Sequence, residues 1–153
     1  SSAATAQTTE RDLAVVGRAL SFLEGASGSD RTVAIVYDPA SQAEAEALNS
    51  AMAGGLSAGR VTLSGQLVPL GQSVSGVDAA MFVGGAASDA GAVQAATSAG
   101  VMTVSTDMAC VQAGNCVMGV QSEPSVRIVV NNAAASSASV SFSTAFAMMV
   151  EEI

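Results

Sequence analysis

Apolar residues at Leu13, Val16, Leu20 and Leu23 recur at spacings of three, four and three, which lines one face of a helix over residues 10–24. Thr9 followed by Asp12 resembles a capping box at its start, and Gly25 marks its end. The pattern then changes. TVAIVY, residues 32–37, is a continuous run rich in β-branched residues and predicts a buried strand after a loop over residues 28–31. DPAS breaks the run, and Ser41 with Glu44 predicts a capped helix that Gly54 and Gly55 terminate.

The rest of the chain repeats the alternation. VTLSGQLVPL (residues 61–70), AAMFVG (79–84) and VMTVST (101–106) read as strands, with a helix from Ser88 and Asp89 to Gly100 between the last two. CVMGV and VRIVV read as short strands around a turn at Glu123 and Pro124. Residues 131–138 predict a short helix. Residues 141–153 predict a last helix, with Phe142, Phe146, Met149 and Ile153 on one face. Strands alternating with helices predict an α/β fold: one three-layer domain with a mainly parallel, Rossmann-like sheet flanked by helices over residues 10–153. Residues 1–9 lack periodicity and are expected to form a mobile segment.

Composition narrows the function. Of 153 residues 50% are hydrophobic and 12% charged, yet no apolar run reaches the ~18 residues of a membrane helix. Five Arg against thirteen acids give a net charge of −8, which disfavours nucleic acid or an anionic lipid surface as partner. The chain has no His and no Lys. That removes the usual general base, the commonest metal ligand and every Schiff-base mechanism. No cofactor fingerprint is present: Gly84-Gly85 lacks the spacing of a dinucleotide-binding loop, and there is no P-loop. The reading is therefore of a protein that is not an enzyme and carries no metal or cofactor. The small, polar opening SSAATAQTTE looks like a mature terminus behind a cleaved signal peptide, so a periplasmic or secreted location is expected. Cys110 and Cys116 can close a disulfide across VQAGN. Free thiols are the alternative, while a zinc site would lack further His or Cys ligands.

Ligands of parallel sheets bind beyond the C-terminal ends of the strands. The residues there are Asp38 and Ser41, Gly84 and Gly85, and Ser105, Thr106 and Asp107, which together are a candidate ligand or partner cleft. Asp38 and Ser41 also suit plain turn and cap roles, and Ser105 lacks an activating base. At the other extreme of the chain, Met148, Met149, Glu151 and Glu152 are candidates for self-association. Acids at a helix C-terminus oppose the macrodipole, and Arg18 or Arg60 of a second subunit could offset that cost.

The order of motifs resembles the YfiR family of periplasmic regulators from about Arg11 to the C-terminus. The resemblance rests on LSFLEG before TVAIVYDP, a strand ending before Gly84-Gly85, GVMTVSTDMACVQAGNCVMGV, VRIVVNNAAA with Asn131 at the strand end, and SFSTAFAMMV. It implies an exported regulatory module that binds the periplasmic sensor domain of a membrane diguanylate cyclase, lowers cyclic-di-GMP signalling, and is under redox control. It also places Cys110 and Cys116 where a family disulfide lies. TVAIVY with DPAS is similar to a lobe of ABC-type substrate-binding proteins as well, which implies a small-ligand carrier. A secreted structural subunit that assembles into an oligomer or filament is the alternative that the low charge and abundant Ala, Gly and Ser suggest.

Overall fold

The computed structural model describes residues 8–25 and 28–153. An eight-stranded sheet runs in the order β2-β3-β1-β4-β5-β6-β7-β8. The strands are β1 (Asp30–Tyr37), β2 (Leu56–Ala58), β3 (Val61–Pro69), β4 (Ala79–Phe82), β5 (Met102–Ser105), β6 (Met118–Gln121), β7 (Arg127–Val130) and β8 (Glu151–Glu152). β3, β1, β4, β5 and β6 are mutually parallel. β2 is antiparallel to β3, β7 is antiparallel to β6, and β8 runs parallel to β7. The sheet is mainly parallel and flanked by helices, as its alternating pattern predicts.

Strand β1 shows why both faces are covered. Val33 and Ile35 enter one core with α1 (Glu10–Leu20) and α2 (Gln42–Ala51). Ala34 and Val36 enter the other with α3 (Ala90–Ser98) and α4 (Met108–Gln112). A strand covered on both sides has no polar face to show, which is why TVAIVY is continuously apolar. The remaining helices are α5 (Asn132–Ser137) and the single turn α6 (Thr144–Ala147).

Several elements differ from the sequence-based expectation. α1 stops at Leu20, not at residue 24, because residues 22–24 leave the helix to meet residues 141–143. The Glu24 N–H donates to the Ser141 carbonyl at 2.8 Å, the Ser143 N–H donates to that of Phe22 at 2.8 Å, and Phe22 stacks on Phe146 at 5.4 Å. The same contacts remove the start of the expected last helix. What remains helical is one turn capped by Ser143, and the chain then extends to add β8 to the sheet edge. The helix over residues 141–153 is thus replaced by a bridge, a turn and a strand.

Smaller corrections follow the same logic. β1 begins at Asp30, inside the expected loop, because its register with Thr62 of β3 extends that far. The short strand β2 and helix α4 have no periodic pattern and were not expected. Thr8 and Thr9 fall in the segment expected to be mobile, yet Thr8 is buried and Thr9 closes its capping box with Asp12 at 2.8 Å. Residues 1–7 lie outside the described residues. No described helix is long and apolar enough to cross a membrane.

Cys110 in α4 is bonded to Cys116, which precedes β6, with 5.2 Å between their Cα atoms. Beside this loop, Thr103 of β5 and Thr97 of α3 share a buried hydrogen bond of 2.8 Å. Thr103 Oγ1 also accepts the Val117 N–H at 3.0 Å, which ties the strand leaving the disulfide to the sheet.

Candidate functional site

The five parallel strands place the first between the second and third, so the chain winds outward in opposite directions from β1 and β4. The loops leaving these two strands therefore diverge and leave a crevice between them. Asp38 follows β1, Gly84 and Gly85 lie beyond β4, and Ser105 ends β5. The structure brings all seven cleft candidates, Asp38, Ser41, Gly84, Gly85, Ser105, Thr106 and Asp107, into the walls of one cavity of about 410 Å³.

Local chemistry explains each wall. Pro39 opens a 3-10 turn, Pro39–Ser41, that carries the chain from β1 into α2. Ser41 faces back into this turn. Its hydroxyl donates to the Asp38 carboxylate and its oxygen accepts the Asp38 N–H at 3.1 Å. The expected Ser41–Glu44 capping box is absent for this reason: the Ser41 hydroxyl is engaged with Asp38. Glu44 turns to the cleft instead and accepts the Thr8 N–H at 2.9 Å.

Gly84 and Gly85 open a second 3-10 turn, Gly84–Ser88, packed directly on Asp38 and Ser41. A Cβ on Gly85 would lie 2.3 Å from Asp38 Oδ2, and one on Gly84 would lie 2.5 Å from Ser41 Cβ. Gly84 also holds φ +57, in the left-handed region. The glycine pair is thus fitted to the capped turn opposite it.

On the third wall, Ser105 is buried and its Oγ accepts the Asp107 N–H at 3.0 Å. Asp107 caps α4 by accepting the Ala109 N–H at 3.0 Å. Thr106 meets Thr8, hydroxyl to hydroxyl, at 3.0 Å. Asp38 and Ser41 hold the plain turn and cap roles open to them from the sequence, and Asp107 also serves as a helix cap.

Thr8, Ala40, Glu44 and Ser88 also line the cavity and were not among the sequence candidates. Glu44 and Ser88 carry a legible signal, since both lie within a few residues of a strand end. Thr8 carries none. The lining offers carboxylates from Asp38, Glu44 and Asp107 and hydroxyls from Thr8, Ser41, Ser88, Ser105 and Thr106, with no cationic side chain among them. Such walls accept hydrogen bonds from a donor-rich group and oppose an anion. Among the described residues no cluster of three or more Asp, Glu, Cys or His could hold a metal ion.

The self-association candidates lie elsewhere, at the β8 edge. Met148 and Met149 follow α6 and are 84% and 60% exposed. Glu151 makes two hydrogen bonds to Arg127 of its own chain, at 2.6 and 3.1 Å, and Glu152 accepts from Asn132 at 3.0 Å. Both acids lie in a strand rather than at a helix C-terminus, so no helix dipole opposes them, and Glu151 needs no Arg from another subunit. Neither a protein-family model nor a curated protein matches this chain.

Proposed function

We propose that the protein is a non-catalytic binding module of an oxidising, extracytoplasmic compartment, and that it acts by seating a partner on the cleft beyond β1, β4 and β5. The observation that carries this reading is the convergence of three strand ends on one polar cavity at the point where the winding of the sheet reverses. Binding is favoured over turnover by the wiring of the walls. Asp38 and Asp107 are engaged as caps, Ser105 is a hydrogen-bond acceptor inside its own turn, and the chain has no His or Lys to move a proton. The Cys110–Cys116 bond fits an oxidising compartment.

The walls call for a partner group rich in N–H or O–H donors, such as a polar loop of another protein. The resemblance of the motif order to that of the YfiR family favours the periplasmic sensor domain of a membrane diguanylate cyclase as that protein, held inactive while docked. The test is biosensor binding to immobilised sensor domains of the cyclases encoded in the same genome. Ser88 is exposed on the cleft wall, so Ser88→Trp fills the cavity without disturbing the core. Binding by the wild type, with a loss of about tenfold or more in Ser88→Trp, is the expected result. Binding that Ser88→Trp leaves unchanged rules out the cleft as the docking surface.

A further inference from the structure

Among the described residues the sheet is open at both edges, and the two edges differ in charge. Arg11 pairs with Glu123 and Arg127 with Glu151, while Arg31 is buried. The two remaining cations, Arg18 and Arg60, are exposed, form no ion pair among the described residues, and flank the same edge strand. Gly59 directly follows β2, and a Cβ there would stand 3.1 Å from the Arg18 Cα. Arg60 is the next residue, its N–H held by Ser21 Oγ at 2.8 Å.

The opposite edge, β8, carries Glu151 and Glu152. Of the large hydrophobic residues exposed among the described residues, Met148, Met149 and Ile153 adjoin β8, and Val126 precedes β7 beside it. Water-exposed apolar groups collected along an unpaired strand edge mark a contact surface.

Strand direction fits a contact between the two edges. β2 and β8 both run opposite to the five parallel strands. A copy displaced sideways, without inversion, therefore presents its β2 parallel to β8 of its neighbour. Gly59 and Arg60 lie where β2 ends. Glu152 pairs with Val130, at the end of β7, and Val130 faces Met118 at the start of β6. Both charged sites are thus at the sheet end opposite the cleft. A symmetric β8-to-β8 contact would instead oppose acid with acid.

We propose that this chain self-associates head to tail, the acidic and Met-rich β8 edge of one copy docking on the β2 edge of the next, beside Arg18 and Arg60. A contact between two different surfaces propagates unless rotation closes it. The inference is independent of the cleft, which faces away from both charged sites.

Sedimentation velocity over a concentration series tests it, with wild type, the double variant Arg18→Glu/Arg60→Glu, and Glu152→Arg. All three positions are exposed, and Glu152→Arg leaves the Arg127–Glu151 pair in place. The wild type is expected to form species above the 14.9 kDa monomer that grow with concentration. Each variant alone should associate about tenfold or more weakly, and an equimolar mixture should regain association, because each kind of edge then meets its opposite. A wild type that stays monomeric throughout overturns the proposal. So does a double variant that associates like wild type, or a mixture of two folded variants that regains nothing. Should either variant fail to fold, the wild type alone decides: raising NaCl from about 0.05 to about 0.5 M should weaken a charge-guided contact. Association that is insensitive to salt overturns it.

Discussion

Gly85 sits where the Asp38 carboxylate needs its space, and Asp38 is held there by Ser41. A methyl group at Gly85 must displace a short, hydrogen-bonded side chain, so Gly85→Ala is expected to cost about 1–3 kcal/mol. Denaturant unfolding measures this, and an unchanged midpoint would mean that the two turns are not packed as described. Ser105 leads to a different expectation. Its oxygen serves the Asp107 N–H, so purified protein should show no esterase or phosphatase turnover, and activity that vanished in Ser105→Ala would contradict the wiring. At the sheet edge, the hydrogen bond from Arg127 holds the Glu151 carboxyl below its ordinary value. The lowered folded-state value means that this pair favours the folded chain above the ordinary carboxylate range, and that the contribution is lost as pH falls through the lowered value. Arg127→Ala should raise the Glu151 carboxyl back towards its ordinary value in an NMR titration. The residues of the cleft were legible because strand ends and glycine pairs are local signals. The partner that Ser41 takes was not: the spacing to Glu44 suits a capping box, but the Pro39 turn brings Asp38 within reach first.

Among the elements, β1, β4, β5 and β6 were legible because each is a short, mostly apolar run bounded by breakers, whereas β3 is longer and interrupted by Thr62, Ser64 and Gln66. The C-terminal segment departs from its helical pattern for a physical reason. Phe142, Phe146, Met149 and Ile153 have helical spacing, but backbone bonds to residues 22–24 and to β7 outcompete the helix. Both partners are distant in sequence, and no local period records them. β2 escapes notice for another reason: it is three residues long, too short to show a period, and it is defined by a tight hairpin with the adjacent β3 and by packing against α1. There α1 crosses close enough that a Cβ on Gly17 would lie 2.3 Å from Ala58 Cβ. Gly17→Ala gains up to about 1 kcal/mol in helix propensity, against a packing cost of about 1–3 kcal/mol. Net destabilisation is the expected outcome, and a stabilised variant would show that α1 stands further from β2. The Cys110–Cys116 loop is short, so Cys110→Ser/Cys116→Ser should lower stability by about 2 kcal/mol without abolishing folding. Thermal or denaturant unfolding of the double variant measures the loss.

At the scale of the whole molecule, one sheet separates two kinds of surface. The crevice between β1 and β4 presents polar, acceptor-rich walls at one end. The exposed methionines and the edge charges lie along the flanks. A protein with few charges and no His or Lys can act through recognition at the first and assembly at the second, and the two should separate by mutation. Ser88→Trp should leave sedimentation unchanged, whereas Glu152→Arg should leave sensor-domain binding unchanged. The most direct measurement is amide chemical-shift mapping of isotopically labelled protein titrated with the periplasmic sensor domains of the membrane diguanylate cyclases encoded in the same genome. Docking on the cleft predicts shifts clustered at Asp38 to Gln42, Gly84 to Ser88 and Ser105 to Met108. Shifts confined to other surfaces, or none with any of these domains, would contradict the proposed function.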